Sequence, residues 1–185
     1  MGTKSGSPLE GDPKNSSEAK DFSVGGNSTN PSPKFTMRIS TLPQGEGGVV
    51  ALARAWIGTP YIHQASVRGV GCDCLGLLRG VWRELRGEEP EDVPAYSPDW
   101  AEATGNETLY TALKRHLAEI APRDTAPGDV GLFRMAPRAP AKHCGILAEK
   151  DGVFTLIHAR QNKRVSEEAF SKYWCRKLTY AFRLS

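Results

Sequence analysis

Three stretches in the middle of the chain carry apolar residues at the spacing of a helix. Side chains three or four positions apart share one helical face, so each stretch predicts an amphipathic helix. The first runs from Gly47 to Ile57, and the second begins at Cys74 and ends at Gly87, a residue type that commonly terminates helices. The apolar positions are Val49, Leu52, Ala53, Trp56 and Ile57, then Leu75, Leu78, Trp82 and Leu85, then Leu109, Ala112, Leu113, Leu117 and Ile120.

After Pro122 the pattern changes to short apolar runs that are separated by turn residues. The runs predict strands at residues 130–133, 144–148, 153–159 and 178–184. Helices followed by strands are typical of the α+β class, so we expect an antiparallel sheet covered by the helix that begins at Cys74. Gly76 and Gly80 weaken that helix by roughly 1 kcal/mol each relative to alanine. Such a cost predicts that the helix approaches the sheet closely.

Residues 1–36 lack this patterning and are rich in Gly, Ser, Pro, Asn and Lys. Such a segment cannot bury enough apolar surface to offset the entropy of ordering it, so it is predicted to be a disordered tail. Met37 is an alternative start, in which case residues 1–36 are an expression-derived or annotation-derived addition. We assign residues 37–185 to a single catalytic domain.

The composition is that of an ordinary globular domain, with 39% apolar and 24% charged residues. A net charge of +3, without basic runs interleaved with aromatic residues, does not indicate a nucleic-acid partner. No apolar stretch approaches the ~18 residues that span a membrane, and the N-terminus lacks the profile of a secretory signal. We therefore expect synthesis in the cytoplasm without a signal peptide, and no membrane insertion.

The four cysteines of the sequence indicate neither a disulfide framework nor a metal site. Cys72 and Cys74 are too close together for an ordinary structural bridge, and a chain of this size does not need one. Cys72, Cys74, His143 and Cys144 could supply four zinc ligands, but Cys-x-Cys is tighter than the usual spacing. His143 and Cys144 would also point to opposite faces of a strand. We expect no metal and no other cofactor.

Cys74 is a candidate nucleophile because it lies where the polar loop of residues 62–71 meets the start of a predicted helix. Unpaired N–H groups and the helix dipole favour negative charge at that position. They stabilise the thiolate, which is the reactive form of cysteine. The alternative is that Cys74 is a buried small apolar residue, the commonest role of a free cysteine. This segment alone favours that alternative.

A cysteine nucleophile needs a base, and four histidines are available. His116 adjoins the apolar stripe of its predicted helix and is interpreted as a bystander, while His63 lies in the loop before Cys74 with undefined geometry. His143 and His158 lie in neighbouring predicted strands. With His143 as the base and His158 as the residue that sets its tautomer, Cys74 and the two histidines would suit acyl transfer. From spacing alone, two unrelated strand histidines are an equally good interpretation.

The Asp151-Gly152 dipeptide between these strands decides whether the two histidines meet. Asp-Gly is a strong signal for a two-residue hairpin turn. With that turn, Lys150 pairs with Val153, and both histidines project from one face within reach of each other. A three-residue turn would place the histidines on opposite faces of the hairpin.

Five motifs, in their order and spacing, resemble the NlpC/P60 family of cysteine peptidases over roughly residues 45–184. Each motif is weak alone, whereas five in sequence are specific. Within the family they look most like the short peptidases encoded beside tail genes in tailed phages, prophages and gene transfer agents. The motifs are Gly58-Thr59-Pro60-Tyr61, Cys72-Asp73-Cys74-Leu75-Gly76-Leu77, Pro127-Gly128-Asp129, His143-Cys144-Gly145-Ile146 and Ile157-His158-Ala159.

The resemblance implies a papain-like α+β fold in which Cys74, His143 and His158 form the catalytic triad. It also implies that Tyr61 lies beside the nucleophile, where it positions substrate or stabilises the oxyanion. Asp73 matches the acidic neighbour of the family cysteine and either contacts substrate or holds the turn. Leu75 departs from the serine of most family members, although the phage-type group shares this change.

The function implied by the resemblance is that of a murein peptidase which cuts a stem-peptide amide, from D-Glu to a diamino acid, through a thioester. The expected partners are the peptidoglycan stem peptide and the tail-tip or baseplate proteins of a phage-like tail. That tail would carry the protein to the periplasm, since no SH3-like or LysM-like wall-binding module is visible. Two alternatives remain open, a structural tail-tip protein with a vestigial site and an acyltransferase on the same fold.

Overall fold

The computed structural model describes residues 48–97 and 105–184. The predictions for residues 1–36, and the domain boundary at residue 37, lie outside the described residues and stay predictions. None of the helices within the described ranges is long and apolar enough to cross a bilayer.

Within the described residues, helices predominate up to residue 116 and strands predominate after it. The helices are α1 (Val49–Arg54), α2 (Cys74–Arg86), α3 (Thr108–His116) and α4 (Lys172–Lys177), with a 3₁₀ turn at Pro122–Asp124. The strands are β1 (Ser66–Val67), β2 (Gly71–Cys72), β3 (Ala118–Ile120), β4 (Val130–Phe133), β5 (His143–Lys150), β6 (Val153–His158), β7 (Ser166–Ala169) and β8 (Leu178–Arg183).

Six strands of the described chain form one antiparallel sheet in the order β3-β8-β4-β5-β6-β7. Strands β1 and β2 form a separate small hairpin immediately before α2. Helix α2 packs against β5 in the middle of the sheet. The predicted α+β class, with the helix that begins at Cys74 lying on an antiparallel sheet, is confirmed.

The sheet has two faces that bury different side chains. We call the side covered by α1, α2 and α3 the helical face; there Leu77 and Val81 of α2 pack with Cys144 and Ile146 of β5 and Ile157 of β6. We call the opposite side the α4 face. Its core is smaller and consists of Phe133, Leu147, Leu156 and Trp174.

The apolar stripe predicted for α2 is wrong in part. Leu77 and Val81, which were not in the stripe, are 1% and 0% exposed, while Leu75 and Trp82 are half-buried. Leu77 and Val81 face the sheet, and the predicted residues lie further round the helix on the side towards α3. A helix that is covered on two sides needs a wide apolar surface, and a single stripe of residues spaced three or four apart describes only part of it.

The two glycines of α2 do permit close approach, but not to the sheet as predicted. A Cβ on Gly76 would lie 1.9 Å from the carbonyl oxygen of Ala65, in the loop before the nucleophile. A Cβ on Gly80 would lie 2.0 Å from the ring of Trp56, in the turn that follows α1. The glycines therefore seat the loop and the α1 segment against α2.

Two residues at the ends of predicted helices have different positions in the structure. Ile57 is 45% exposed because α1 ends at Arg54, three residues before it. Ile120 lies in β3, where it pairs with Ala181 of β8, because α3 ends at His116. In both cases helical spacing continued in the sequence beyond the end of the helix.

Candidate active site

The N-terminus of α2 is fixed by the carboxylate of Asp73, which precedes Cys74. Asp73 is the N-cap, and its Oδ1 accepts a hydrogen bond of 2.7 Å from the backbone N–H of Gly76. Its Oδ2 accepts from the backbone N–H of Gln64 at 2.7 Å and from the hydroxyl of Tyr96 at 2.6 Å. Asp73 is 3% exposed. Through these three hydrogen bonds, the buried carboxylate connects the start of α2 with the preceding loop and with Tyr96.

The β5–β6 hairpin has the register that the Asp151-Gly152 turn predicts. Lys150 pairs with Val153, and the register continues without a shift to the pair of Ile146 and Ile157. Asp151 and Gly152 have φ values of 53° and 74°, as a two-residue turn of type I′ requires. The hairpin prediction is confirmed.

The same register brings the two hairpin histidines into contact. His143 Nε2 and His158 Nδ1 are 2.9 Å apart and share a hydrogen bond. Gly145 leaves room for this arrangement, since a Cβ there would lie 3.0 Å from the Cβ of His158. The prediction that the histidines lie on one face within reach of each other is confirmed. Their catalytic roles stay predictions.

Cys74 and His143 meet in a cleft of about 500 Å³ at the end of β5. Cys74 is half-buried, and its Sγ lies 3.8 Å from the backbone oxygen of Lys142. The His143 imidazole lines the same cleft and interacts electrostatically with the Cys74 thiol. Because Nε2 of His143 is already engaged by His158, Nδ1 is the nitrogen left to face the thiol. The sulfur is thus placed at a helix N-terminus, beside an imidazole, with access to solvent through the cleft.

The surroundings of Cys74 favour its thiolate. The Cys144 thiol donates to the backbone oxygen of Cys74 at 3.3 Å. This neighbouring thiol and the imidazole of His143 together hold the pKa of Cys74 well below its usual value, against the opposing effect of burial. Cys144 is fully buried, and the pKa of its own thiol is raised well above the usual value by the contact with Cys74 and by burial. Of the two thiols, the one in the cleft is therefore the more readily ionised.

His158 is held in its neutral form. It is 0% exposed, and burial, helped by the charge of His143, lowers its pKa to about 3. Desolvation penalises the charged form of a base, and a second cation beside it adds to that penalty. His158 is therefore a neutral hydrogen-bond partner of His143 at neutral pH.

Tyr61 lies in the cleft wall beside Cys74, as predicted. Its backbone forms a bridge with Cys72, which fixes the segment before the nucleophile helix. Burial and the negative charges of Asp73 and Cys74 raise the pKa of the Tyr61 hydroxyl, so the hydroxyl stays protonated and can donate a hydrogen bond. The substrate or oxyanion roles of Tyr61 and Asp73 stay predictions, and Asp73 already accepts three hydrogen bonds within the protein.

The structure also shows where the remaining cysteines and the two other histidines, His63 and His116, lie. All four cysteines, each within the described ranges, are free thiols. His63 lies on the cleft wall, with its Nε2 2.8 Å from the backbone oxygen of Tyr96, whereas His116 is at the end of α3 and 3.4 Å from Glu91. His116 does not line the cleft, in agreement with its interpretation as a bystander.

Sequence reasoning missed three residues that shape the site. Tyr96 binds the helix cap, Cys144 contacts the nucleophile, and Trp174 stacks on the His143 ring at 5.6 Å with an interplanar angle of 28°. Cys144 was present in the His-Cys-Gly motif, but strand alternation argued that it pointed away from His143. Cys144 does point to the other face, towards α2, where its thiol donates to the backbone oxygen of Cys74.

Comparisons with known proteins bear on the fold of the chain. No protein-family model matches the chain. It is 30% identical over 135 residues to a gamma-DL-glutamyl hydrolase of Bacillus subtilis, a match that covers 71% of this chain and 27% of that protein. The chain therefore spans about a quarter of the length of this curated relative.

Two solved structures are also similar. A Staphylococcus aureus protein of the NLP/P60 family, described as similar to lipoprotein, gives a TM-score of 0.46 at 20% identity, covering 74% of this chain and 40% of that one. The NlpC/p60 domain of the peptidoglycan hydrolase SagA gives a TM-score of 0.51 at 21% identity, covering 76% of this chain and all of that domain. The chain has the fold of an NlpC/P60 domain.

Proposed function

We propose that this chain is a cysteine hydrolase that cuts an amide bond in the stem peptide of peptidoglycan. The observation that carries the proposal is the contact between the Cys74 thiol, at the start of α2, and the His143 imidazole in an open cleft. Further support comes from the NlpC/P60 fold, because the similar domain belongs to a peptidoglycan hydrolase.

The geometry suits a two-step acyl transfer to water. The Cys74 thiolate attacks the carbonyl carbon of the amide, and the imidazolium of His143 gives its proton to the leaving amine. This step leaves a thioester on Cys74 and a neutral His143. A water molecule then attacks the thioester while His143 accepts one of its protons, which releases the carboxylic acid and restores the thiolate–imidazolium pair. The acid loses its remaining proton to solvent.

We further propose that the scissile bond joins D-Glu, through its side-chain carboxyl, to a diamino acid. The resemblance to NlpC/P60 peptidases implies this bond. The Bacillus subtilis relative supports it, since its name describes hydrolysis of gamma-DL-glutamyl bonds. The cleft wall carries Lys142 and Arg160 near His143 and Ala159, cationic groups that suit an acidic peptide.

The test is digestion of purified peptidoglycan, with mass identification of the released fragments. We expect wild-type protein to release fragments cut after D-Glu, and Cys74→Ala to reduce the rate at least about 10⁴-fold, as loss of a nucleophile does elsewhere. Fragments joined to an added amine would indicate an acyltransferase instead. No fragments from folded wild-type protein would contradict the proposal and favour a vestigial site.

We also propose, from the sequence resemblance alone, that the protein works as part of a phage-like tail. It would be made in the cytoplasm, bind tail-tip or baseplate proteins, and open the wall locally in the periplasm. Tail-like particles purified from producing cells should contain this chain in a fixed ratio to the tail proteins. Its absence from intact particles would contradict the tail setting and leave the proposed chemistry unaffected.

A further inference from the structure

Glu168 of β7 lies directly behind the hydrogen-bonded histidines, on the α4 face of the sheet. Its Oε1 is 3.1 Å from Nε2 of His158, the nitrogen on the far side of the ring from His143. The same oxygen accepts a hydrogen bond of 2.7 Å from Nε1 of Trp174. Three groups in line, His143, His158 and Glu168, thus extend from the cleft to the edge strand.

The buried nitrogen of His158 has no good hydrogen-bond partner among the described residues other than this carboxylate. Nε2 is fully buried, and the contact of 3.1 Å to Glu168 deviates from hydrogen-bond geometry although the distance is suitable. A buried polar nitrogen without a partner is costly, so a carboxylate at this distance is the acceptor on which a proton at Nε2 depends.

The proton positions follow from the first hydrogen bond of the series. When His143 is an imidazolium, its Nε2 carries a proton and donates to Nδ1 of His158. His158 is neutral, so its single proton must then be on Nε2, which faces Glu168. A negative charge at that point stabilises this tautomer and, through it, the cation on His143.

We infer that Glu168 is a positioning residue of the active site, which keeps the proton of His158 on Nε2 so that Nδ1 can accept from His143. The inference rests on the proposed function, in which Cys74 and His143 carry out the reaction. Glu168 does not touch substrate; it acts through His158.

The aromatic side chain of Trp174 keeps the carboxylate in place. Its indole N–H holds Glu168, while its ring stacks on His143 and meets His158 edge-on at 4.9 Å between centroids. Trp174 is 3% exposed, so it also keeps water away from the bond between the histidines. A carboxylate that is otherwise partly exposed is thereby directed at one ring nitrogen.

Other charges reach the histidine pair and must be included in any account of its pH dependence. The Cys74 thiolate faces it from α2, and Lys142 lines the cleft next to His143. Arg160 and Lys163, in the loop after β6, disfavour a cation on His158. Arg160 is 3.4 Å from Glu168, which reduces the effect of both charges on the rings.

Glu168→Gln is the informative variant because an amide oxygen can still accept from Trp174 while the charge is lost. Glu167→Gln is the matched control. Glu167 is the neighbouring residue of the same strand, but it points to the helical face, where it pairs with Arg54 at 2.8 Å and accepts from Thr155. Both variants lose one carboxylate from β7, and thermal unfolding shows whether each is folded.

The first readout is the rate of Cys74 alkylation by iodoacetamide across pH, which needs no cell-wall substrate. We expect Glu168→Gln to shift the pH profile of Cys74 alkylation by about one unit, and Glu167→Gln to leave the profile in place. In peptidoglycan digestion, Glu168→Gln should lower kcat about tenfold with KM changed less than twofold. Equal profiles for the two variants would overturn the inference.

The second readout is ¹⁵N NMR of the imidazole nitrogens in wild-type protein and in Glu168→Ala. We expect the His158 proton on Nε2 in wild type, and a measurable shift towards Nδ1 when no carboxylate or amide is present. A proton on Nδ1 in wild type would overturn the inference directly. Because alkylation and NMR do not use peptidoglycan, a wild-type protein without hydrolytic activity would contradict the proposed function and still give a result for Glu168.

Discussion

The two faces of the main sheet bury their side chains by different physical means. On the helical face, Leu132, Ile146 and Ile157 are at most 1% exposed and belong to an apolar cluster. Their side chains carry no polar group that needs a hydrogen bond. On the α4 face, His158 is equally buried, among Leu156 and Trp174, and needs a specific proton arrangement. These apolar side chains supply stability that is independent of pH, whereas the burial of His158 makes stability depend on protonation. Substitutions on the two faces should therefore differ in kind.

The largest effect is expected from the base itself. His143→Ala should lower kcat about 10³- to 10⁴-fold, because neither thiolate formation nor proton transfer to the leaving amine is then assisted. The free energy of unfolding should change by only about 1 kcal/mol, since His143 is half-buried. Peptidoglycan digestion and urea unfolding measure the two quantities. His116→Ala, a histidine outside the cleft, is the control, and equal activity losses in both variants would contradict the assignment.

The next effect is on stability as a function of pH, and it belongs to the α4 face. The pKa of His158 is about 3 in the folded protein and about 6.5 in an unfolded chain. Between these values the unfolded state binds a proton that the folded state does not, so the free energy of unfolding falls as the pH is lowered. The fall approaches about 1.4 kcal/mol per pH unit from this group.

Urea unfolding of wild type and His158→Asn between pH 7 and pH 4 isolates that contribution. Above pH 7 the His158 contribution does not depend on pH in either state. We expect the wild type to lose more stability than the variant as the pH falls below 6.5. A difference between the two proteins that stays constant over the range would show that His158 is not held neutral.

A smaller effect, confined to stability, is expected on the helical side of the molecule. Gly80→Ala places a Cβ 2.0 Å from the Trp56 ring. It should reduce the free energy of unfolding by about 1–3 kcal/mol, although alanine is the better helix former. The pH profile of Cys74 alkylation should not move. In a Trp56→Leu background the same substitution should cost much less, and a cost that persists there would mean that the ring is not the obstacle.

The smallest effect is expected at the second thiol of the site. Cys144→Ala removes the neighbouring thiol that most lowers the pKa of Cys74, so alkylation of Cys74 should begin about half to one pH unit higher. Cys175→Ala is the control because its half-buried thiol, near Phe170, lies away from the cleft. An unchanged onset in Cys144→Ala would leave His143 as the main source of thiolate stabilisation.

The parts of the fold that could be predicted from the sequence are those fixed by neighbours along the chain. The bounds of α2 follow from its apolar content and from Gly87, and the β5–β6 hairpin follows from its Asp-Gly turn. Strand β7 was missed because Ser166–Ala169 has no alternation of apolar and polar residues; it exists through pairing with β6 at the sheet edge.

The candidate site likewise has residues that the local sequence identifies and residues that only tertiary packing brings in. Cys74 and the two histidines could be selected because a helix start and a hairpin register are local properties. The contacts of Tyr96 with Asp73, and of Trp174 with Glu168 and His143, join residues from separate elements. Nothing in their local sequence specifies such pairs, since only the packing of the sheet against α4 and the loops creates them.

The two carboxylate oxygens of Asp73 bind different parts of the candidate site. Oδ1 serves the first turn of α2, whereas Oδ2 serves Gln64 and Tyr96. The first turn of α2, the loop before it and Tyr96 are therefore joined through one buried carboxylate. Because Oδ1 caps the helix by itself, removal of the Tyr96 hydroxyl leaves the cap of α2 in place.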